Sequence, residues 1–276
     1  MKYLRKYLRP DRLLILCVLV IGTTFTLGCK PKSVEWSSVS ADDLLYQIRS
    51  PLHENTAISG AAAIIHETPD GLRKGRAYFA LKASNQLLLE AVTPSDETVA
   101  VLVTNGDNFM GFEVSDTHCR TGPPCAANVA LIFPLPLDGI QVVRLLFGRP
   151  PLIAGESSDI ERMKTPPRNR LFIEGGRETR QILDFTANGK DLISAKIDRA
   201  GKEILDIRYS EHFDLTDKIR LPRQIELHDA VNAQKVTIRV IDADLFTPKP
   251  ETFDTHCPKG KIIEFLPCGP DANRPH

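Results

Sequence analysis

The sequence predicts a mainly β protein of the α+β class, in which about eleven antiparallel strands curl into a sheet or half-barrel plugged by apolar helices. Two observations indicate this class: many segments alternate apolar and polar residues, and two others combine a capping box with helical apolar spacing. The composition, 42% hydrophobic and 25% charged over 276 residues, is that of a globular chain. Its 35 Lys and Arg residues balance 35 Asp and Glu residues, so no broad basic surface favours nucleic-acid binding.

The first predicted helix begins at Ser40 and ends before Pro51. Ser40 and Asp43 have capping-box spacing, and Leu44, Leu45 and Ile48 share one helical face. Five alternating strands follow, at residues 57–66, 75–83, 86–92, 99–104 and 108–114. Turn sequences such as Asn105-Gly106-Asp107 separate these strands, which predicts an antiparallel meander.

A second helix is predicted in the centre of the chain, where Asp138 and Gln141 repeat the capping-box spacing and Gly148 ends the helix. Its predicted apolar face forms a lid of Ile140, Val143, Leu146 and Phe147. After a loop rich in Pro and charge at 164–170, six strands follow, at residues 170–174, 180–187, 192–198, 203–210, 224–230 and 234–243. Alternation alone leaves open whether the apolar faces enclose a cavity or pack as a solid core.

The first residues predict export. Basic residues precede an apolar run at 13–21 that is shorter than the roughly 20 residues of a membrane-spanning helix, which is typical of a secretory signal. The segment Phe25-Thr26-Leu27-Gly28-Cys29 resembles the lipobox of bacterial lipoproteins. The resemblance implies a signal peptide at 1–28, lipidation of Cys29 and a tether at 29–39. An ordinary secretory signal with a buried or paired Cys29 is the alternative.

Four cysteines remain outside the signal and the lipobox: Cys119, Cys125, Cys257 and Cys268. They allow three pairings, and we predict the local pairs 119 with 125 and 257 with 268, because each brackets a loop containing Pro and Gly. The alternative is a metal site, since Thr-His-Cys occurs at both 117–119 and 255–257. The spacings are not those of structural zinc ligands, so no metal is expected.

The sequence carries no recognisable enzyme motif. HExxH, G-x-S-x-G, P-loop and dinucleotide-binding glycine patterns are all missing. The nearest approach, residues 155–159, lacks the second glycine, and the seven histidines are dispersed. We therefore expect a non-enzymatic protein without a cofactor.

The order of features along residues 42–253 resembles the LolA/LolB-type periplasmic lipoprotein carriers and receptors, including LolB-like outer-membrane lipoproteins. The segments that carry the resemblance are residues 74–82, 87–90, 94, 105–107, 145–148 and 243–246. The resemblance implies a half-open antiparallel β-barrel with a small helical lid at 40–255, followed by a Cys-bounded loop and tail at 256–276. It also implies a cavity that receives the acyl chains of lipoproteins crossing the periplasm.

On this basis we expect a lipid-anchored lipoprotein at the periplasmic face of the outer membrane, acting in lipoprotein localisation or lipid handling. Its partners would be lipoprotein acyl chains or other lipids and the membrane holding its anchor, with no nucleic acid. A periplasmic carrier protein could be a further partner. The candidate cavity-lining residues are Phe79, Leu81, Leu87, Leu89, Ile140, Val143, Leu146 and Phe147.

Two departures from the family pattern keep a second function open. LolB receptors carry a protruding apolar loop for membrane insertion, whereas the connection at 93–98 is short and polar, and the two Cys-bounded loops are additions. The alternative is a lipid-tethered interaction module. It would dock another envelope protein along an edge strand or through the loop at 164–170.

Overall fold

The computed structural model describes residues 36, 38–50, 55–134, 137–157 and 159–269, and these residues form three helices. They are α1 (Ala41–Arg49), α2 (Ala126–Ala130) and α3 (Gly139–Leu146). Both predicted capping boxes are present, at Ser40 for α1 and at Asp138 for α3. The predicted signal peptide and Cys29 lie outside the described residues. No helix in the described part of the chain is long and apolar enough to span a bilayer.

The described residues also form 17 strands. In the first half of the chain they are β1 (Ala57–Thr68), β2 (Gly71–Lys82), β3 (Gln86–Val92), β4 (Thr98–Thr104), β5 (Phe109–Glu113) and β6 (His118–Gly122). The central ones are β7 (Gly155–Ser157), β8 (Glu161–Lys164), β9 (Pro167–Gly175), β10 (Thr179–Thr186), β11 (Leu192–Arg199) and β12 (Lys202–Ser210). The last are β13 (Phe213–Thr216), β14 (Ile219–Leu221), β15 (Gln224–Asp229), β16 (Gln234–Leu245) and β17 (Ile262–Phe265).

One 15-stranded sheet contains most of these strands, in the order β17-β6-β5-β4-β3-β2-β1-β16-β15-β12-β11-β10-β9-β7, with β8 also paired to β9. The long strands β1 and β16 join its two halves, and neighbouring strands are antiparallel except for β17, which runs parallel to β6. Within the described ranges the end strands β17 and β7 are not paired with each other, so the sheet is not closed. This confirms the predicted mainly β, half-open fold.

All eleven predicted strands are present, and six short ones were not predicted. Strands of three to five residues, such as β7 and β17, are too short to show an alternating pattern. The loop predicted at 164–170 is wrong, because β8 and the start of β9 form a hairpin there.

The inner face of the sheet packs around α1 and α3. Leu44, Leu45 and Ile48 of α1 are buried as their spacing predicted, beside Val142, Val143, Leu145 and Leu146 of α3. The predicted lid face is wrong at one position, because Ile140 is 39% exposed. Helix α3 is short and presents Val142 and Leu145 to the core, which turns Ile140 towards solvent.

A second apolar cluster lies on the outer face of the sheet. Its buried residues Ala80, Val103, Met110 and Cys119 come from β2, β4, β5 and β6. Phe253, from the segment after β16, is buried against them. The chain therefore covers part of its own outer face with its C-terminal segment.

The local disulfide pairing predicted from the sequence is wrong. Cys119 pairs with Cys257 and Cys125 with Cys268, across sequence separations of 138 and 143 residues. The physical reason is the parallel pairing of β17 with β6, which lays the two Cys-bounded segments side by side. Each disulfide thus ties the C-terminal segment to the sheet.

The alternative metal site has no thiolates, because all four cysteines are disulfide-bonded. His118 and His256 instead contact the carboxylates of Asp116 and Asp254 in their own segments. No group of three or more metal-ligating side chains occurs in the described part of the chain.

Candidate functional site

An apolar cavity of about 320 Å³ lies between the start of α3, the segment 151–153 and strands β11 and β12. Its apolar wall includes Leu137, Leu152, Ile153, Ile197, Ile204 and Leu205. Small-molecule sites typically span about 300–1,000 Å³ and are predominantly apolar, so the cavity is at the lower end of that range.

Buried Gln181 of β10 holds one wall of the cavity in place. Its Oε1 accepts a hydrogen bond from the Ile153 backbone N–H at 3.1 Å, and its Nε2 donates to the Pro151 carbonyl at 2.8 Å. These two bonds satisfy the backbone of a segment that is not itself part of a strand or helix. The side chains of Leu152 and Ile153 therefore stay fixed at the cavity.

The capping box of α3 positions the opposite wall. The Gln141 backbone N–H donates to Asp138 Oδ1 at 2.7 Å, and the Gln141 side chain accepts from the Asp138 backbone N–H at 3.1 Å. This exchange fixes the first turn of the helix and places Gln141 on the cavity lining. Leu137, just before the cap, is buried and contributes an apolar surface.

Polar residues of the lining cluster on two hairpin turns. Ala200 and Gly201 have φ of 49° and 75°, the left-handed conformation of a tight β11–β12 turn, and exposed Arg199 precedes them. At the β15–β16 turn, the Asp229 carboxylate accepts from the backbone of Val231 and from the Asn232 side chain, at 3.0 and 2.6 Å. Asp229 is thus occupied by its own turn, whereas Arg199 has no ion pair among the described residues.

The arrangement suits burial of an apolar group. The interior wall carries aliphatic side chains. Of the polar lining residues, Gln141 belongs to the α3 cap, Asp229 bonds its own turn, and the guanidinium of Arg199 is exposed. Neither a nucleophile with a paired base nor a set of metal ligands lines this cavity in the described residues.

The eight predicted cavity residues lie elsewhere. Seven are buried in the inner core and so come together in space: Phe79, Leu81, Leu87, Leu89, Val143, Leu146 and Phe147. None of the eight lines the apolar cavity, and Ile140 is exposed. The structure places these strand and helix residues in one core cluster, and their contact with an acyl chain stays a prediction.

Sequence reasoning missed the residues that do line the cavity. The alternation predicted the strand at 203–210, in which Leu205 lies, but it gave no reason to choose that strand over the others. The signal that could have found the wall is the run Pro151-Leu152-Ile153, which is apolar and follows directly on the predicted lid.

Comparison with known proteins supports the fold. No protein-family model matches the chain, and no curated protein matches its sequence. A LolA superfamily protein from Nitrosomonas europaea superposes with a TM-score of 0.56 at 14% identity, covering 79% of this chain and 98% of that protein. A domain named for outer membrane lipoprotein sorting, from Vibrio parahaemolyticus, superposes with a TM-score of 0.55 at 8% identity, covering 77% and 95%.

These likenesses show that the chain has a LolA/LolB-like fold, as the resemblance in its sequence implied. At such low identity the likeness extends to the fold alone, and function has to be argued from the cavity.

Proposed function

We propose that this chain is a non-enzymatic, lipid-anchored lipoprotein that binds acyl chains in the apolar cavity beside α3. Its role would be lipoprotein localisation to the outer membrane or lipid handling there, with Cys29 as the anchored residue. The observation that carries the proposal is the aliphatic cavity of about 320 Å³ inside a half-open LolA/LolB-like sheet. Burial of apolar surface, at about 25 cal/mol per Å², would drive binding.

Seven of the eight cavity residues predicted from the sequence lie in the core next to the apolar cavity, and the two regions share wall residues. Leu137 and Ile153 line the cavity and also belong to the core that contains Phe79 and Leu87. We propose that a chain longer than the cavity extends towards that core when α3 moves. A fluorescent fatty-acid series of increasing length would show rising affinity beyond the length that 320 Å³ holds.

The test of acyl binding uses native mass spectrometry and fatty-acid titration of the full chain. Ile204→Glu places a carboxylate on the half-buried cavity wall and should reduce fatty-acid affinity by about tenfold or more, because the charge must be desolvated. Ile241→Glu on β16 is the matched control, since Ile241 is 48% exposed and away from the cavity lining. A chain that carries and takes up no lipid, or equal affinities in both variants, would overturn the proposal.

One observation favours a second candidate, the docking module. Strand β17 is at the end of the sheet, and its Ile262, Ile263 and Phe265 are 59%, 66% and 68% exposed. A partner segment of alternating apolar residues could add to this edge. Capture of a defined envelope protein that is lost in the double variant I263K/F265K, with no lipid uptake by the parent chain, would favour docking over carrying.

A further inference from the structure

A second pocket, of about 170 Å³, lies away from the apolar cavity and has a different character. It is bounded by the end of α1, the residues after α3, the β10–β11 turn and the β13–β14 hairpin. Four cationic side chains line it, Arg149, Lys190, Lys218 and Arg220, against one carboxylate, Asp191. The two pockets share no lining residue.

Two of the four cations are neutralised by carboxylates. Arg220 bonds Asp191 at 2.6 Å and Asp214 at 2.8 Å, and Lys190 is 3.7 Å from Asp214. The Arg220–Asp191 and Lys190–Asp214 pairs also link the β13–β14 hairpin to the β10–β11 turn. The hairpin side of the pocket is therefore rigid and close to neutral.

Among the described residues, the remaining cations leave an excess of positive charge. Arg149 is half-buried, and its described hydrogen bond goes to the Ser50 carbonyl at the end of α1. Arg144, next to it, donates to the Ile48 carbonyl at 2.8 Å. Burial lowers the pKa of both guanidinium groups, and Arg144 lowers the pKa of Arg149 further, as expected of guanidinium groups with no carboxylate partner among the described residues.

Lys218 completes the excess. It is exposed on the β13–β14 turn, lines the pocket and has no ion pair among the described residues. The neutral carbonyls of Ile48 and Ser50 each accept one described hydrogen bond, from Arg144 and Arg149 respectively, and do not cancel their charge. A small anion seated between Arg149 and Lys218 would cancel it.

We propose that this pocket binds a phosphate-type oxyanion, either free phosphate or the phosphate of an anionic lipid headgroup. The pocket is small, several of its donors are half-buried, and guanidinium groups match the geometry of phosphate oxygens. This site is independent of acyl binding, because no apolar cavity residue takes part in it.

The test is calorimetric titration of the full chain with inorganic phosphate, and flotation with phosphatidylglycerol vesicles against phosphatidylcholine vesicles. Lys218→Gln removes an exposed charge that no described contact needs for folding, and should weaken anion binding several-fold. Arg149→Gln should weaken it about tenfold, since it removes a charge-assisted hydrogen bond to the anion. Lys74→Gln, an exposed lysine on β2 far from the lining, is the matched control and should bind as the parent does.

Phosphate binding that K218Q weakens and K74Q does not supports the site with free phosphate as ligand. Stronger flotation with phosphatidylglycerol than with phosphatidylcholine, with the same dependence on Lys218, supports the site with a lipid headgroup as ligand. If phosphate does not bind and flotation is equal with the two vesicles, the proposal is overturned. It is also overturned if K218Q and R149Q, verified as folded by circular dichroism, both bind as the parent does. Loss in R149Q alone also overturns it, because capping of α1 would then explain the effect.

Discussion

Gln181 Nε2 donates to the Pro151 carbonyl at 2.8 Å, across a sequence separation of 30 residues. Gln181 is fully buried, and its Oε1 accepts from the Ile153 backbone in the same segment. A single amide thus holds the wall that separates the core from the apolar cavity. Both the stability of the fold and the shape of the cavity wall therefore depend on Gln181.

Gln181→Ala should lower the free energy of unfolding by about 2–4 kcal/mol, because it leaves a buried N–H and a buried carbonyl without partners at about 1–3 kcal/mol each. Urea unfolding followed by circular dichroism measures this loss. The same variant should weaken fatty-acid binding, since Leu152 and Ile153 lose their fixed position. Gln47→Ala is the control: its amide also bonds one carbonyl, that of Lys190, but at an exposed site, so a loss within about 1 kcal/mol is expected. Equal losses in the two variants would contradict the role given to Gln181.

Leu87→Ala tests whether the strand face packs as a core. Leu87 has no exposed surface and lies in the inner cluster, so its truncation should cost about 2–5 kcal/mol of unfolding free energy. Val99→Ala, at a position 42% exposed, should cost well below that and serves as the control. A loss below about 1 kcal/mol for Leu87→Ala, measured by denaturant unfolding, would indicate an open space beside this strand.

The sequence predicted the apolar strand face that contains Leu87 and the two capping boxes. Both the two-residue alternation of side chains along a strand and a helix cap depend only on residues close together in the chain. Alternation along β3 separates inward from outward residues before any partner strand is known. The Ser40 and Asp138 caps need only residues three positions away. Such features could be predicted, and the structure contains them.

The disulfide pairs and the cavity depend on contacts between distant segments. Cys119 meets Cys257 only because the four-residue strand β17 pairs with β6. A strand of four residues is too short for an alternation of apolar and polar residues to be recognised in the sequence. The cavity exists where the segment 151–153 passes β11 and β12 without filling the space between. Neither relationship is set by neighbouring residues alone, so spacing favoured the wrong cysteine pairs and alternation did not point to this cavity.

Peptide mapping after proteolysis without reduction should link Cys119 to Cys257 and Cys125 to Cys268. Replacing one pair, in C119S/C257S, should cost about 3 kcal/mol in the chain-entropy model, because the other disulfide still holds the same two segments together and only a short ring is lost. Thermal and urea unfolding of the two double-serine variants measure the effect. Crosslinked peptides joining Cys119 to Cys125 would contradict the structure.

His212 should make stability depend on pH. Burial lowers the pKa of its imidazole below 6.5, while Asp191 and the backbone of Leu192 oppose that shift and Arg220 adds to it. The unfolded chain therefore binds a proton more readily than the folded one, so this contribution is complete above pH 6.5 and is lost as the pH falls from 6.5 through the folded pKa. Urea unfolding at several pH values between 5 and 7 should show a smaller acid loss for His212→Gln than for the parent. An identical slope in the two proteins, or a His212 imidazole that titrates above 6.5 by NMR, would contradict the assignment.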